Sequence, residues 1–411
     1  MRHLYFDHAA STPVDPRVLR AMKPFFLKEF GNPGSLHFFG QQAIGAVDAS
    51  RETLGKLIGA KNFREMIFTS GATEANNLAL RGAVEFYKKK NPDVRPRIII
   101  SSIEHESIFE TADILERSGV EVVRLPVNKE GVIDIVALKD ALNENTVVVS
   151  VMHVNNEVGT IQPLREIKFM IDAFRKAAPG ADAAHPAVYP LFHTDAAQSF
   201  PYLYCDVELL GVDMMTLSSH KTYGPKGVGA LYIRRDEKAF SENGGFPLIA
   251  QVAGGGQEFG LRSGTENVPG IVGFAAAARI AVDVRGKVST RIAALRDDLW
   301  GRIKAMSAAE INGPPGDAKA PHILNVYFPG HAAQDLLTRF DRMGLAASSG
   351  SACRSRAAES SYVIESLGYS KERAASSVRF SLGKETTKKE FVAAAKIIEK
   401  ALANKENPRK A

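Results

Sequence analysis

The chain has 411 residues, 45% of them hydrophobic and 24% charged, and carries a net charge of +6. That length exceeds one ordinary core and predicts a large domain with a smaller companion. The basic residues are spread along the chain apart from Lys88–Lys90 and the tail from Lys405 to Lys410, which argues against a nucleic-acid surface. The two cysteines, Cys205 and Cys353, exclude a disulfide framework and a cysteine-rich metal site.

The N-terminus, Met-Arg-His-Leu-Tyr-Phe-Asp-His, lacks the apolar stretch of a secretory signal. No segment offers the roughly 20 successive apolar residues of a membrane span; the most apolar, 270–284, is broken by Arg279 and Asp283. A cytoplasmic, reducing setting without membrane attachment is the expectation. Apolar, β-branched runs then alternate with helix-like segments. Strands are predicted at Met66–Thr69, Arg97–Ser101, Val120–Leu125, Val147–Met152, Ala187–His193, Met214–Leu217 and Val228–Ile233, with helical periodicity over Thr73–Tyr87 and Leu164–Ala177. Continuous apolar strands separated by helices predict a mainly parallel sheet covered on both faces, an α/β fold. Residues 178–186 read as a surface connection, and a Gly/Pro-rich break at 244–264 precedes a second region. There a long helix from about Val268, short strands near Ile323–Phe328 and Ser377–Leu382, and a closing helix from Lys388 are expected.

Function in such sheets gathers at the carboxyl ends of the strands. Five predicted strand ends carry polar groups: Ser70-Gly71-Ala72-Thr73, Glu104-His105, His153-Val154-Asn155-Asn156-Glu157, Asp195-Ala196-Ala197-Gln198 and Ser218-Ser219-His220-Lys221. Lys221, at the end of a buried strand and before Gly224-Pro225-Lys226-Gly227, is poorly placed for a solvated charge; partial burial would leave the neutral amine that Schiff-base chemistry requires. The Ser70–Thr73 turn suits either a phosphate or an ordinary helix cap. Asp195 is expected to be buried and so to need a partner, a protonated pyridine nitrogen or a helix N-terminus. His105 could stack on a ring and shuttle protons, or be merely hydrogen-bonded. Arg379 alternates with apolar neighbours, which by itself predicts a solvent-facing charge, although a guanidinium also suits a substrate carboxylate. Cys353 lies among small and polar residues beside Arg354 and Arg356, as a reactive thiol would; Cys205 reads as packed.

Taken in order, these segments resemble the cysteine desulfurases of the NifS/IscS type, class V aminotransferase-like enzymes of fold type I that use pyridoxal 5'-phosphate (PLP). The similarity runs from Asp7-His8-Ala9-Ala10-Ser11-Thr12-Pro13 to Ser377-Val378-Arg379-Phe380-Ser381-Leu382-Gly383. It passes through Gly31-Asn32-Pro33-Gly34-Ser35, Phe68–Asn77, Met152–Glu157, the Lys221 run, Leu261–Asn267 and Ser348–Cys353. The resemblance implies a large PLP-binding domain (15–260) with a seven-stranded sheet. It also implies a smaller α+β domain (1–14 with 261–411) that carries the catalytic cysteine on an extended, mobile loop. It implies that Lys221 holds the cofactor and moves the Cα proton, and that His105 stacks on the ring. Asp195 would pair with the pyridine nitrogen and Gln198 with the phenolic oxygen. Ala72, Thr73, Ser218 and His220 would hold the phosphate, with Thr265 reaching over from the second subunit of a homodimer. Asn155 and Arg379 would bind the carboxylate of L-cysteine, and Cys353 would take its sulfur as a persulfide, releasing L-alanine and passing sulfur to an acceptor such as an iron–sulfur scaffold. No metal is implied. Arg354 and Arg356 depart from the usual small residues after the cysteine, and the short tail lacks the extension that IscS-type members use to dock a scaffold. Two relatives of the same scaffold make different demands: a selenocysteine lyase can work without Cys353, and a transaminase has no use for it.

Overall fold

Arg97-Ile98-Ile99-Ile100-Ser101 shows why the central sheet forms. Its three isoleucines are fully buried, Ile98 and Ile100 in a cluster on one face and Ile99 in a cluster on the other. A strand that must be apolar on both sides reads as an unbroken apolar run. The computed structural model describes residues 3–178, 188–350 and 360–403. Its strands are β1 (Leu4–Tyr5), β2 (Met66–Thr69), β3 (Arg97–Ser101), β4 (Glu121–Leu125), β5 (Thr146–Ser150), β6 (Leu191–Asp195), β7 (Met214–Ser218), β8 (Gly229–Ile233), β9 (Glu310–Asn312), β10 (Ile323–Tyr327), β11 (Leu345–Ala346) and β12 (Ser377–Ser381).

Seven of them form the main sheet in the order β2-β8-β7-β6-β5-β3-β4. Strands β3 to β7 pair in parallel, and β8 runs antiparallel to both of its neighbours, β2 and β7. Reversing β8 alone leaves the carboxyl ends of the other six strands on one rim, where the polar segments lie. Helices Phe38–Leu57 and Leu164–Ala177 contribute to the cluster on one face, and helices Ala72–Lys90 and Glu106–Arg117 to that on the other.

A three-stranded antiparallel sheet, β12-β10-β9, and the parallel pair β1-β11 make up a second region. The helix Val268–Met306 serves both regions. Val268, Ile271, Phe274 and Ala278 pack in a core of the main sheet, whereas Ile292, Leu299 and Ile303 pack with β10 and β12. Its start is fixed locally: Asn267 accepts a hydrogen bond from the Gly270 N–H, and proline occupies the first turn, where a missing donor costs nothing. Because one helix is shared, packing shows no sharp break at residue 260. Among the described residues, no helix is long and apolar enough to cross a membrane.

Two strands differ from the sequence expectation. β6 spans Leu191–Asp195; Ala187, the expected start, lies outside the described residues, and the strand continues past His193 through Thr194 and Asp195, whose backbones pair with Met215 and Thr216 of β7. β5 leaves its ladder after Ser150, so Val151 and Met152 begin the loop that carries Asn155 and Asn156.

Candidate active site

The rim of the main sheet surrounds a cavity of about 440 Å³. Ala72, Thr73, His105, Asp195, Gln198, Ser218, His220, Lys221 and Arg379 line it, so nine of the expected site residues converge there. Lys221 is placed by the short turn Ser219–Lys221 directly after β7, and its Nζ donates to the carbonyls of Ala9 and Ala10. The N-terminal segment thus closes over the lysine, which sequence reasoning did not foresee.

Asp195 ends β6 and is 6% exposed. Its carboxylate accepts from two neutral donors, Asn76 Nδ2 at 2.9 Å and the Ala197 N–H at 2.9 Å. Asn76, one turn into the helix Ala72–Lys90, also donates to Ser107 Oγ at 2.8 Å; it stands in a quoted motif but received no role there. His105 caps the helix Glu106–Arg117, its Nδ1 accepting the Ser107 N–H at 3.1 Å. With Nδ1 so engaged, the neutral ring carries its proton on Nε2. Burial lowers the His105 pKa, opposed by the Asp195 carboxylate and reinforced by Lys221. Behind it the buried Glu104 carboxyl is pushed up to about 8 by desolvation, against hydrogen bonds from Ser101 Oγ and the Met152 N–H. Gln198 donates to the Ala9 carbonyl at 2.9 Å and meets His322 Nε2 at 3.1 Å. His322 was missed because an isolated Pro-His before a strand carries no signal.

At the other end, helix Ala72–Lys90, which has no side-chain cap among the described residues, brings its first-turn N–H groups and the positive end of its dipole to the rim. Ser218 Oγ and His220 Nδ1 are buried there without a hydrogen-bond partner among the described residues. Burial, with Lys221 and Lys226 nearby, lowers the His220 pKa to about 4 and keeps that ring neutral. The turn fits because Gly229 faces it: a Cβ at that position would lie 2.7 Å from the Gly71 carbonyl carbon.

Arg379 corrects the solvent-facing expectation. It lies in β12 at 1% exposure. Its Nη2 donates to Asp7 Oδ1 at 2.7 Å and its Nη1 to the Asn156 carbonyl at 2.9 Å, while Nε has no partner among the described residues. Alternation along β12 misled because a loop and the N-terminal segment cover the strand's second face. Asn155 is also placed differently from its expected role. It is fully buried and absent from the cavity wall. Its Oδ1 accepts the N–H groups of Glu157 and Val158, and its Nδ2 donates to the Ile103 carbonyl. The amide that lines the cavity is its neighbour, Asn156. Thr265 is exposed and does not line this cavity. Cys353, Arg354 and Arg356 lie outside the described residues. Cys205 is 1% exposed and packed beside Ser199 and His153, and burial pushes its thiol up to about 11.

A lysine amine in one cavity with a buried carboxylate and the positive end of a helix suits a flat, anionic heteroaromatic carbonyl. Orphaned Ser218 Oγ and His220 Nδ1 fit a phosphate, and Asp195, held by neutral donors alone, fits a protonated ring nitrogen. The fold and this cavity define a PLP-dependent enzyme of fold type I. The family model for aminotransferase class-V matches residues 4–393, and the chain belongs to that family. The cysteine desulfurase IscS of Klebsiella pneumoniae subsp. pneumoniae is 43% identical over 402 residues, 97% of this chain and 92% of that protein. The cysteine desulfurase IscS of Dictyoglomus turgidum is 40% identical over 95% of this chain and 92% of its own length. Among solved structures, a NifS-like protein superposes with a TM-score of 0.85 at 34% identity, covering 98% of this chain and 99% of that one. DndA of Streptomyces lividans gives 0.73 at 35% identity, covering 90% and 98%.

Proposed function

We propose that this chain is a PLP-dependent cysteine desulfurase that converts L-cysteine to L-alanine and carries the sulfur as a persulfide on Cys353. The observation that carries the reading is where the Cys353 segment is rooted. Ser348, five residues before the cysteine, pairs with the backbone of Arg379 in both directions, at 3.1 and 2.6 Å, on the wall of the Lys221 cavity.

Lys221 would hold the cofactor through Nζ. Ala72, Thr73, Ser218 and His220 would take its phosphate, with Thr265 added by the second subunit of a homodimer. Asp195 would face the ring nitrogen, Gln198 the phenolic oxygen and His105 the ring plane. When bound, PLP supplies an electron sink conjugated to the substrate Cα. Arg379, with two of its five N–H donors engaged, binds the substrate carboxylate together with Asn156. Asn155 braces the loop that presents Asn156. Lys221 Nζ, released by the substrate amine, takes the Cα proton, and His105, with its proton on Nε2, lines the same cavity and serves proton transfer. The Cys353 thiolate attacks the substrate sulfur: an S–S bond forms and the sulfur stays on Cys353 as the persulfide, the Cβ–S bond breaks with its electrons left on carbon, and protonation of that carbon together with return of a proton to Cα from Lys221 Nζ gives L-alanine. We assign residues 15–260 to the cofactor-binding unit and 1–14 with 261–411 to the unit that brings Cys353. Sulfur passes to an acceptor protein such as an iron–sulfur scaffold, in the cytoplasm.

Cys353→Ser tests the reading. The variant should keep the cofactor's visible band and its response to L-cysteine, yet release neither alanine nor sulfide. Full sulfide release by that variant would refute it.

A further inference from the structure

Both ends of the segment that contains Cys353 meet one buried carboxylate. Glu157 is 1% exposed, and its Oε2 accepts a hydrogen bond from Ser361 Oγ. On the other side, a Cβ at Gly350 would fall 2.8 Å from the same oxygen, so the Gly350 backbone lies directly against the carboxylate. A larger residue would push the carboxylate away, and the Gly350 φ of 145° is one that other residues rarely adopt. Glu157 is in turn fixed to the substrate wall. It follows Asn156, its N–H donates to Asn155 Oδ1 at 2.9 Å, and its carbonyl accepts from Asn325 Nδ2 at 3.1 Å. The residues after Ser361 continue the attachment: Tyr362 OH donates to the Glu104 carbonyl and Ser366 Oγ to the Ser102 carbonyl at 3.1 Å, both on the loop that carries His105.

Resting on the reading of Cys353 as the sulfur acceptor, we propose that Glu157 is a positioning residue for sulfur transfer. It pins both roots of the Cys353 segment to the loop that presents Asn156. Cys353 follows Gly350 by three residues, and three residues of chain span at most roughly 10 Å, so the placement of Gly350 limits the reach of the thiol. Loosening the roots enlarges the volume the thiol explores and lowers its effective concentration at the substrate sulfur. Among the described residues the hydrogen bonds of Glu157 run to Asn155, Asn325 and Ser361, so substrate binding and Cα proton removal should survive its loss.

The test uses PLP-loaded full-length wild type, Glu157→Ala, Glu157→Gln and Ser361→Ala. Three quantities are read: the spectral response to L-cysteine, exchange of the L-alanine Cα proton in D₂O, and steady-state alanine formation from L-cysteine. Glu157→Ala should keep the first two within twofold of wild type and lose about tenfold or more in kcat for alanine formation with KM little changed. Ser361→Ala should lose less in the same sense, and Glu157→Gln, which retains an acceptor for Ser361, should recover most of the rate. Wild-type kcat in both Glu157→Ala and Ser361→Ala would overturn the proposal. So would parallel loss of proton exchange and desulfuration, which would mark general damage. Wild type that makes no alanine would instead overturn the desulfurase reading, and this inference with it.

Discussion

Removing the Arg379 guanidinium separates its contacts in the fold from the role proposed for it at the substrate. In β12 it donates 2.7 Å to Asp7 and 2.9 Å to the Asn156 carbonyl, with its side chain almost wholly buried and that of Asp7 18% exposed. Breaking a buried pair by deleting one partner costs about 3–5 kcal/mol, and the partial exposure of Asp7 puts Arg379→Ala near the lower end, about 3 kcal/mol. A second loss arises at the substrate. Charge-assisted hydrogen bonds contribute about 1.5–3 kcal/mol, which corresponds to a fall of roughly 10- to 150-fold in kcat/KM for L-cysteine. Arg379→Lys keeps the charge without the fork and should fall between Arg379→Ala and wild type. The assay is alanine formation against cysteine concentration, paired with denaturant unfolding of each variant. Asp7→Asn is the control: it weakens the same ion pair but leaves the guanidinium. If Asp7→Asn and Arg379→Ala lose kcat/KM equally, Arg379 acts only through the fold and the substrate clamp is refuted.

Gly229→Ala should weaken PLP binding and destabilise the protein by about 1–3 kcal/mol, because its Cβ would meet the Gly71 backbone at 2.7 Å; unchanged cofactor affinity by fluorescence titration would contradict that. Arg51→Ala strips Glu258 of a buried pair at 2.6 and 2.8 Å and should cost about 3–5 kcal/mol in urea unfolding. The same pair holds Glu258 and Phe259 at φ values of 51° and 58°, so a small loss there would mean that the strain is carried elsewhere. Stability should rise with pH up to about 6.5 and then decline toward 7, where the Lys319 amine, lowered by burial to about 7, starts to contribute in the rising sense. Burial depresses His153 to about 4 and His193 to about 3, so their contribution is complete above the unfolded value of 6.5 and is lost as pH falls toward those values. Glu104 works in the opposite sense. Raised to about 8, it contributes most below its unfolded value of 4.5 and loses that contribution as pH rises through 8. Glu104→Gln should therefore flatten the decline between pH 6.5 and 7 in thermal melts, and an undiminished decline would assign it to other groups.

The main sheet was legible because strands buried on both faces must be continuously apolar, as in Ile98-Ile99-Ile100, and because Gly and Pro punctuate the connections. The short strands β1, β9 and β11 were not, since two or three residues carry no period; they exist only because distant partners complete them. The site was legible where chemistry coincides with a strand end, as at His105, Asp195 and Lys221. It failed where tertiary cover decides. Arg379 alternates like a surface residue, yet the Asp7 segment and the Asn156 loop bury it. Asn155 and Asn156 are adjacent and chemically identical, and only the turn that spends one amide on Glu157, Val158 and Ile103 shows which one faces the cavity. The clasp of Ala9 and Ala10 on Lys221, some 210 residues apart, has no local signal at all.

The most direct measurement is to give PLP-loaded wild-type protein L-cysteine with a reducing thiol and to quantify alanine and sulfide in the same samples. Equal amounts of both, rising together over many turnovers, are what the roles proposed for Lys221, Arg379 and Cys353 predict. Cofactor turnover that yields no alanine from cysteine would contradict the account.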